Sequence, residues 1–405
     1  MADARRTVVV VGASVAGVRC VQALRGKGFD GRIVLLDGET RLPYDKPALS
    51  KQVLDGGPAA ASPPGLVNEA ELAALTVDYR PGSAAIGLDL ARRHVLVGDG
   101  VPASYTDLVI ATGSAPRRMS SLDGFRGVHY LRTLDDALAL RGELDGGPRV
   151  VVVGGGFIGA EVAAGARARD LPVTIIEAAP RMASRVLPPA AGDRLERLHR
   201  EHGVRVRCGV GVAGARGGAR IESVELADGT SVAADVVVVG IGTLPATGWL
   251  AGSGLTLDDG VLCDAYLRAV GADDVWVIGD VARWLNPRYG HVMRTEHWTG
   301  AREQAALVGA TLAGGPARVC DLVPYVWSDQ HGSHIQHVGE SPAPGDTVSA
   351  LPQDGGGGEV FEYRRAGRLV GATGFDAQRA VLGLRRELAA TPVATTATSV
   401  TSATA

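Results

Sequence analysis

The sequence predicts an α/β fold built from two copies of one strand–turn–helix unit, followed by a separate sheet-containing module. Two apolar valine runs, at residues 7–11 and 150–153, each lead directly into a glycine-rich turn. Such runs are typical of parallel strands that are buried on both faces. Beyond Leu322 the pattern changes to short strands and turns, which indicates a module of a different kind.

The first copy, TVVVVGASVAG, places Gly12, Ser14 and Gly17 at the positions of a G-x-G-x-x-G dinucleotide fingerprint. These positions allow a tight turn, close approach of the backbone to a pyrophosphate and close packing of the next helix. Serine replaces the middle glycine here, but it is small and its hydroxyl can donate to a phosphate. About 20 residues on, Asp37 and Glu39 stand where a carboxylate accepts hydrogen bonds from ribose hydroxyls.

The second copy, VVVVGGGFIGAE, is complete, with Gly154, Gly156 and Gly159 at the glycine positions and Glu177 ending the next apolar strand. A glycine fingerprint alone is weak evidence, and the carboxylate at the right distance strengthens it. A carboxylate there favours NADH over NADPH, because it accepts from free ribose hydroxyls and repels a 2′-phosphate. Two dinucleotide sites in one chain indicate electron transfer between two dinucleotides.

Charge and composition narrow the classes of function. The 405 residues carry a formal net charge of −3, which argues against an extended surface for nucleic acid or anionic membrane. No apolar stretch is long enough to span a bilayer, and the N-terminal valine run leads into a fingerprint instead of a signal-peptide cleavage site. The cysteines, Cys20, Cys208, Cys263 and Cys320, form no C-x-x-C pair and no metal-binding spacing. We expect a reduced, cytoplasmic protein without a metal centre.

An ordered set of motifs resembles the FAD-dependent, NADH-using ferredoxin reductases that serve haem monooxygenases and Rieske-type dioxygenases. The motifs are GASVAG, LPYDKPALSK, LVIATG, YLRTLDDA, GGGFIGAE, IGDVA, EHW and WSDQ, in this order between about residues 7 and 374. The resemblance implies a glutathione-reductase-like α/β fold with two Rossmann-like dinucleotide-binding domains, the FAD domain split around the NAD domain, and a C-terminal α+β module.

The domain limits that follow are an FAD domain at residues 1–113 and 243–320, and an NAD domain at 114–242. A C-terminal reductase module is expected at 321–392. The tail at 393–405 consists of Thr, Ala, Ser and Val without any period, and this composition predicts disorder.

The resemblance also implies a role for individual residues toward FAD. Lys51 is expected near the hydride-accepting nitrogen of the flavin, with Glu161 as its partner; a solvated loop lysine is the alternative. A fixed cation at that position would stabilise the negative charge of reduced flavin. Either Asp37 or Glu39 would bind the ribose. The other FAD contacts implied are Gly12, Ser14, Ala16 and Gly17 at the pyrophosphate, and Ala85 (by its backbone), Thr112, Gly113, Arg132, Asp280, Trp298 and Trp327.

For the nicotinamide coenzyme, the resemblance adds contacts around the second fingerprint. Ile158 and Glu161 are expected near the nicotinamide, and Gly242 near its carboxamide. Arg181 and Arg185 follow Glu177 closely, which leaves use of NADPH open.

The implied activity is hydride transfer from NADH to FAD, followed by single-electron transfer to a 2Fe-2S ferredoxin, by a monomer or homodimer. A disulfide reductase or a peroxidatic oxidase would need cysteine against the flavin, and no cysteine occurs between Cys20 and Cys208. An NADH oxidase that needs no catalytic cysteine remains an alternative. A redox sensor of the apoptosis-inducing-factor type is another, although the slightly acidic charge weighs against it.

Two groups of basic side chains carry weaker expectations. The histidines of HGSHIQH alternate as in a strand, and we interpret them as surface or packing residues instead of metal ligands. The segment begins at His331, where the resembled family usually has an aromatic residue. Exposed arginines would dock an acidic iron–sulfur partner, with a simply solvated face as the alternative. The arginines considered for this role are Arg288, Arg294 and Arg302.

Overall fold

The computed structural model of the chain describes residues 6–54, 62–352 and 358–391. The tail expected to be disordered lies outside the described residues. None of the helices in the described ranges is both long and apolar enough to cross a membrane.

The first region forms the parallel core of one dinucleotide-binding unit. Its elements are β1 (Thr7–Val11), α1 (Val15–Gly26), β2 (Arg32–Leu36), a 3-10 helix (Lys46–Ser50), α2 (Glu69–Ala74), β3 (Asp78–Arg80), β4 (Ala85–Asp89), β5 (His94–Val97), β6 (Ala103–Ser104), β7 (Asp107–Ile110) and β8 (Ser114–Pro116). Strand β1 pairs in parallel with both β2 and β7, and Val8, Val9 and Val10 are fully buried. This burial on both faces explains the uninterrupted valine run.

The second region repeats this plan. Its elements are β9 (Val128–His129), α3 (Leu134–Leu144), β10 (Val150–Val153), α4 (Phe157–Ala168), β11 (Val173–Glu177), α5 (Pro189–Glu201), β12 (Arg205–Cys208), β13 (Val212–Gly217), β14 (Ile221–Leu226), β15 (Ser231–Ala233), β16 (Val236–Val239) and β17 (Thr243–Pro245). Five strands form a parallel sheet in the order β12-β11-β10-β16-β9.

The third region returns the chain to the first sheet. Its elements are a 3-10 helix (Gly248–Leu250), β18 (Val261–Cys263), β19 (Val275–Val277), a 3-10 helix (Gly279–Val281), β20 (Ala282–Asn286), β21 (His291–Arg294) and α6 (Trp298–Leu312). Strand β19 pairs with β7, so the first sheet has the order β19-β7-β1-β2-β3. The first domain is therefore split around the second, as the resemblance implied.

The two strand exits, DLVIATGSAP and DVVVVGIGTLP, leave their sheets and pair with each other. Strands β8 and β17 form an antiparallel ribbon in which Ser114 lies opposite Pro245 and Pro116 opposite Thr243. The chain thus crosses between the two domains twice at one place. This ribbon brings the carboxyl ends of both parallel sheets toward the same side of the molecule, where ligands of such sheets bind.

The C-terminal module is an antiparallel sheet with one helix. Its elements are β22 (Tyr325–Gln330), β23 (Ser333–Gly339), β24 (Thr347–Pro352), β25 (Glu359–Arg365), β26 (Arg368–Phe375) and α7 (Gln378–Ala390). The strand order is β22-β23-β26-β25-β24. Neither β24 nor α7 was located from the sequence. Helix α7 buries Val381 and Leu388 fully, and Ala380 and Leu384 pack partly buried beside them.

Arg288 fastens this module to the first domain and is not a docking residue. Its guanidinium donates to the Asp321 carboxylate at 2.7 Å and to the main-chain oxygens of Leu388 and Thr391 at 2.8 and 2.9 Å. Arg294 is also internal, since it pairs with Asp259 and Glu296. These two expectations were wrong because the sequence does not show which arginines meet backbone oxygens or carboxylates from distant segments.

The histidines of HGSHIQH do not share one surface. His337 is buried and its Nδ1 lies 3.0 Å from Thr373 Oγ1, so it is a packing residue and not part of a surface face. His331 lies in the β22–β23 turn, half-buried and stacked on His202. His334 contacts the Asp329 carboxylate at 2.5 Å. Within the described residues, no cluster of His, Cys, Asp and Glu side chains is arranged to hold a metal ion.

Trp284 in β20 anchors the core of the first domain. It is completely buried and donates its indole N–H to the carbonyl oxygen of Cys320 at 2.9 Å. We expect Trp284→Ala to lower the free energy of unfolding by about 3–5 kcal/mol, because it removes a large buried side chain and strands an acceptor. Urea denaturation followed by circular dichroism would measure the change. A decrease in the free energy of unfolding below about 1 kcal/mol would contradict this role of Trp284. Trp284→Phe, which keeps a large aromatic ring, is the matched variant and should have a smaller effect.

Candidate functional site

A cleft of about 280 Å³ opens at the carboxyl ends of β1, β2 and β7. This edge of a parallel sheet is where dinucleotides bind, and the cleft volume is close to the lower end of ordinary ligand pockets. Much of the expected FAD set meets here. The lining includes Gly12, Ser14, Asp37, Glu39, Ala85, Thr112, Gly113 and Arg132.

The turn from β1 into α1 leaves the helix N-terminus open toward this cleft. Gly12 has a φ of +104°, and a Cβ atom on it would collide with the backbone of Ala111. Ser14 is the N-cap of α1 but its side chain makes no capping hydrogen bond, so its hydroxyl and the first helical N–H groups are available to an anion. Ala16 and Gly17 are buried and do not line the cleft. Gly17 instead lets α1 pack against the Gly12 carbonyl.

The two carboxylates at the end of β2 have different partners. Asp37 accepts from the Glu39 N–H and from the Tyr79 hydroxyl, both at 3.1 Å, and burial raises the pKa of Asp37. Glu39 accepts from the Tyr44 hydroxyl and from Lys46 Nζ, both at 2.6 Å. Asp37 is therefore held by the backbone of its own loop, while Glu39 belongs to a polar cluster with Tyr44 and Lys46.

Sequence reasoning missed Tyr44, Lys46 and Trp249, which also line the cleft. Tyr44 and Lys46 stand in the LPYDKPALSK motif, so the resemblance to the reductase family already pointed to this segment. Burial and the neighbouring Glu39 raise the pKa of Tyr44, which keeps its hydroxyl a donor. The indole nitrogen of Trp249 is buried and finds no partner among the described residues; such an orphaned donor fits a ligand in the cleft.

Asp280 stands beside the cleft at a second strand end. It lies in the 3-10 helix after β19, and the Ser114 hydroxyl donates to its Oδ2 at 2.8 Å. Burial raises the pKa of Asp280, and Arg132 partly opposes this. The neighbouring Gly279 N–H donates to the side chain of Gln304 at 2.7 Å, so helix α6 holds this short turn in place.

Lys51 and Glu161 come together across the boundary between the two domains. Lys51 follows the 3-10 helix of the first domain, whereas Glu161 lies in α4, the helix of the second fingerprint. The two charged groups are 2.8 Å apart, with Glu161 only 5% exposed. Ser50 and Ser328 also donate their hydroxyls to the Glu161 carboxylate. The sequence predicted the pair, but neither serine.

Trp298 and Trp327 belong to a group of aromatic rings beside α6. Their centroids are 5.9 Å apart in an edge-on arrangement, and Tyr325 stacks on Trp327 at 6.2 Å. The Trp298 indole donates to the Asp45 carboxylate at 2.8 Å. The structure thus brings together three motifs that lie far apart in the sequence, PYDKP, EHW and WSDQ.

The second fingerprint forms a matching turn at the carboxyl end of β10. A Cβ on Gly154 would collide with Gly240, and one on Gly159 would collide with Gly154, whereas one on Gly156 would meet no atom within 4 Å. The middle glycine therefore borders open space, as close approach of a pyrophosphate requires. Glu177 ends β11 and accepts from the Gly155 N–H at 2.6 Å and the Ala179 N–H at 2.7 Å.

The two arginines near Glu177 have contacts elsewhere. Arg181 pairs with Asp193 at 2.6 Å. Arg185 lies over Gly242, whose missing Cβ would be 3.2 Å from the guanidinium, at the strand exit where the nicotinamide end is expected. Ile158, at the start of α4, is 47% exposed, which leaves an apolar surface beside the fingerprint.

None of the cysteines lines the first cleft, whereas Cys208 lies opposite Glu177 on the neighbouring strand. All four are free, and burial raises the pKa of Cys20 to about 12 and that of Cys320 well above its usual range. Such thiols are poor nucleophiles. Cys208 is half-buried at the end of β12 and its thiol contacts Glu196.

Comparison with known proteins agrees with this geometry. Residues 6–305 match the pyridine nucleotide-disulphide oxidoreductase family, and residues 325–404 match the C-terminal domain of reductases. The chain belongs to the pyridine nucleotide-disulphide oxidoreductase family. Its relatives include the ferredoxin–NAD(+) reductase component of the anthranilate 1,2-dioxygenase system of Burkholderia cepacia, 37% identical with 94% of each chain covered.

Solved structures of this family are also similar over nearly the whole chain. The ferredoxin reductase for the CYP199A2 system from Rhodopseudomonas palustris is 33% identical, with a TM-score of 0.89 and 95% of each chain covered. The covalent complex of putidaredoxin reductase with putidaredoxin gives a TM-score of 0.90 at 31% identity, covering 95% of this chain and 93% of the other.

As a member of this family, the oxidoreductase uses FAD and NAD(H). The observed residues fit both groups: each fingerprint has a tight turn and an open helix N-terminus. A carboxylate ends the second strand of the second unit (Glu177) and directly follows that of the first (Asp37). The first cleft adds the orphaned indole of Trp249. All four cysteines are unpaired.

Proposed function

We propose that the chain is an NADH-dependent reductase that passes a hydride from NADH to FAD and then single electrons to a 2Fe-2S ferredoxin of an oxygenase system. The Lys51–Glu161 pair carries this proposal. It is an ion pair between the two dinucleotide-binding domains, with the Lys51 side chain 22% and the Glu161 side chain 5% exposed. The ferredoxin–NAD(+) reductase relatives support the same acceptor.

FAD would be held by the first cleft over residues 1–113 and 243–320, and NADH by residues 114–242. We assign the FAD ribose to Asp37, because Asp37 and Glu177 occupy equivalent positions. Each follows the strand residue whose carbonyl oxygen accepts from the first fingerprint glycine, Leu36 and Ile176. Each also accepts the N–H of the residue two positions on. Gly12 and Ser14 would hold the FAD pyrophosphate, and Gly154, Gly156 and Gly159 that of NADH.

Lys51 would place a positive charge at the reacting end of the flavin. Bound FAD supplies the conversion of a two-electron hydride into two single electrons. The chain contributes fixed electrostatics: Glu161 holds the Lys51 ammonium in one position, and Ser50 and Ser328 hold Glu161. A preorganised cation of this kind stabilises negative charge that develops during the reaction.

Electrons would leave through the aromatic group formed by Trp298, Trp327 and Tyr325. Two guanidinium groups border these rings, Arg302 at 5.7 Å from the Trp298 centroid and Arg385 at 5.3 Å from that of Tyr325. Arg302 is exposed. An acidic ferredoxin would be attracted to this face, and long-range attraction of that kind raises association rates.

Reversing the charge of Arg302 tests this docking face. We expect Arg302→Glu to raise the KM for ferredoxin about tenfold at low salt and to weaken the salt dependence, because one attractive charge becomes repulsive. Cytochrome c reduction coupled through the ferredoxin measures this step, and NADH-dependent dye reduction measures the first half-reaction separately. Arg205→Glu, an exposed arginine on β12, is the matched control. Equal effects of the two reversals would contradict the docking face.

The acceptor itself is tested by steady-state assays of the purified flavoprotein with a panel of 2Fe-2S ferredoxins that includes putidaredoxin. The proposal expects at least one ferredoxin to be reduced far faster than dioxygen. Peroxide production at the full rate of NADH oxidation, with every ferredoxin left oxidised, would instead favour an NADH oxidase.

A further inference from the structure

A chain of hydrogen-bonded side chains connects Glu161 with the far end of α5. Ser328 Oγ lies 2.5 Å from Glu161 Oε1, and Gln330 Nε2 lies 2.9 Å from Ser328 Oγ. His199 Nε2 lies 2.9 Å from Gln330 Oε1, and His331 Nε2 lies 3.1 Å from His199 Nδ1. These hydrogen bonds therefore join α4 and α5 of the NAD domain to β22 of the C-terminal module.

The side chains in the middle of this hydrogen-bond network are buried from solvent. Ser328, Gln330 and His199 are each at most 1% exposed. Buried polar groups are costly unless they are fully hydrogen-bonded, and each of these side chains finds its partners in the chain. A polar connection of this length beside an ion pair needs a reason beyond packing, because apolar side chains of the same size would pack without that cost.

The Glu161 carboxylate fixes the direction of every bond in the chain. A carboxylate only accepts, so Ser328 must donate to it and in turn accepts from the Gln330 amide nitrogen. The amide oxygen of Gln330 then accepts from His199 Nε2–H. Burial lowers the pKa of His199 to about 4, so its ring is neutral near pH 7 and Nδ1 accepts from His331. All four bonds point toward Glu161.

The far end of the chain reaches the surface through two histidines. The rings of His331 and His202 are stacked, with centroids 4.3 Å apart, and His202 is exposed. Burial first, and then the neighbouring His199, His202 and Arg167, lower the pKa of His331 to about 3. The outer histidine is therefore also neutral, and it serves as a donor to His199.

Hydrogen bonds that are all donated in the same direction polarise each other in a low-dielectric interior. Their positive ends face the Glu161 carboxylate, which accepts from Ser328 on one oxygen and from Ser50 on the other. Both carboxylate oxygens are thereby fixed, and the carboxylate cannot turn. The Lys51 ammonium that it binds is then held in a single place.

We propose that His199, Gln330 and Ser328 are positioning residues for the Lys51–Glu161 pair, and that this chain helps to set the reduction potential of the bound flavin. The inference rests on the proposed function, since it takes Lys51 to face the flavin. None of these hydrogen-bonded side chains contacts the reacting atoms. Each acts on the Lys51–Glu161 pair through its hydrogen-bond partner nearer to Glu161.

The midpoint potential of the purified FAD holoenzyme, measured spectroscopically against a reference dye, tests the inference. We expect His199→Leu and Ser328→Ala to lower the equilibrium constant for flavin reduction about tenfold, since each weakens a hydrogen bond to a charged group. For a two-electron couple this is about 30 mV. His199→Gln keeps an amide donor toward Gln330 and should restore most of the potential.

Two further variants separate the possible outcomes. His337→Leu removes a buried histidine of the same module that lies outside the chain, and should leave the potential unchanged even if the melting temperature falls. If it shifts the potential as much as His199→Leu does, or if His199→Leu and His199→Gln behave alike, the inference is wrong. Ser328→Ala decides the matter if His199→Leu does not fold. A Lys51→Met protein with an unchanged potential would instead refute the proposed place of Lys51.

Discussion

Replacing Lys51 with methionine should slow the reduction of FAD by NADH about 100-fold. Methionine keeps most of the length of lysine but removes the charge, and loss of one preorganised group that stabilises developing charge typically costs a factor of about 100–1,000. Stopped-flow absorbance at saturating NADH measures this step directly. The affinity for NADH should change much less, because Lys51 acts on the reaction and not on the nucleotide.

The control for this variant is Lys27→Met. Lys27 is exposed at the C-terminal end of α1, and the fingerprint turn lies at the N-terminal end. The substitution should leave the reduction rate within about twofold. If Lys51→Met reduces its flavin as fast as the unmodified protein, the ion pair is structural and Lys51 has no part in hydride transfer.

The second large effect is expected at Glu177, which should decide the choice of coenzyme. Glu177→Ala removes the acceptor for the ribose hydroxyls, and we expect kcat/KM for NADH to fall about 100-fold, as for the loss of two hydrogen bonds to a charged group. The value for NADPH should stay constant or rise, because the repulsion of its 2′-phosphate disappears. Steady-state kinetics with both coenzymes measures the ratio.

The ratio of kcat/KM for NADH to that for NADPH also distinguishes lost recognition of the ribose from a loosened fingerprint turn. Glu177 binds the N–H groups of Gly155 and Ala179, so its loss could loosen the turn, but loosening would weaken both coenzymes alike. A preference for NADH that survives unchanged would contradict the assignment of Glu177. Glu201→Ala, at an exposed position near the end of α5, is the matched control and should alter neither value.

The parts of the molecule that sequence predicted well are those that are continuous in the chain. Each fingerprint packs a strand, a turn and a helix into about a dozen residues, so its chemistry can be read directly. Both predicted strand–turn–helix units are present, as β1 with α1 and β10 with α4. The Lys51–Glu161 pair joins distant segments, and only the resemblance to a known family linked them.

The parts that sequence missed depend on contacts between distant segments. Ser328 and Gln330 stand in the quoted WSDQ motif, yet nothing in the motif shows that they face Glu161 and His199. Arg288 looked like a surface arginine because a sequence does not reveal which backbone oxygens lack partners until the fold is known. Helix α7 was missed although Ala380, Val381, Leu384 and Leu388 recur at helical spacing and pack on the core of the module.

The central claim is that two electrons from one NADH leave this protein singly, to a protein carrier. The most direct measurement mixes the FAD holoenzyme anaerobically with one equivalent of NADH and an excess of each 2Fe-2S ferredoxin of the panel in turn, and counts the ferredoxin reduced. The account predicts two reduced ferredoxins for each NADH oxidised. It is contradicted if the flavin is reduced by NADH but every ferredoxin stays oxidised, while admission of air reoxidises the flavin at the full rate of turnover.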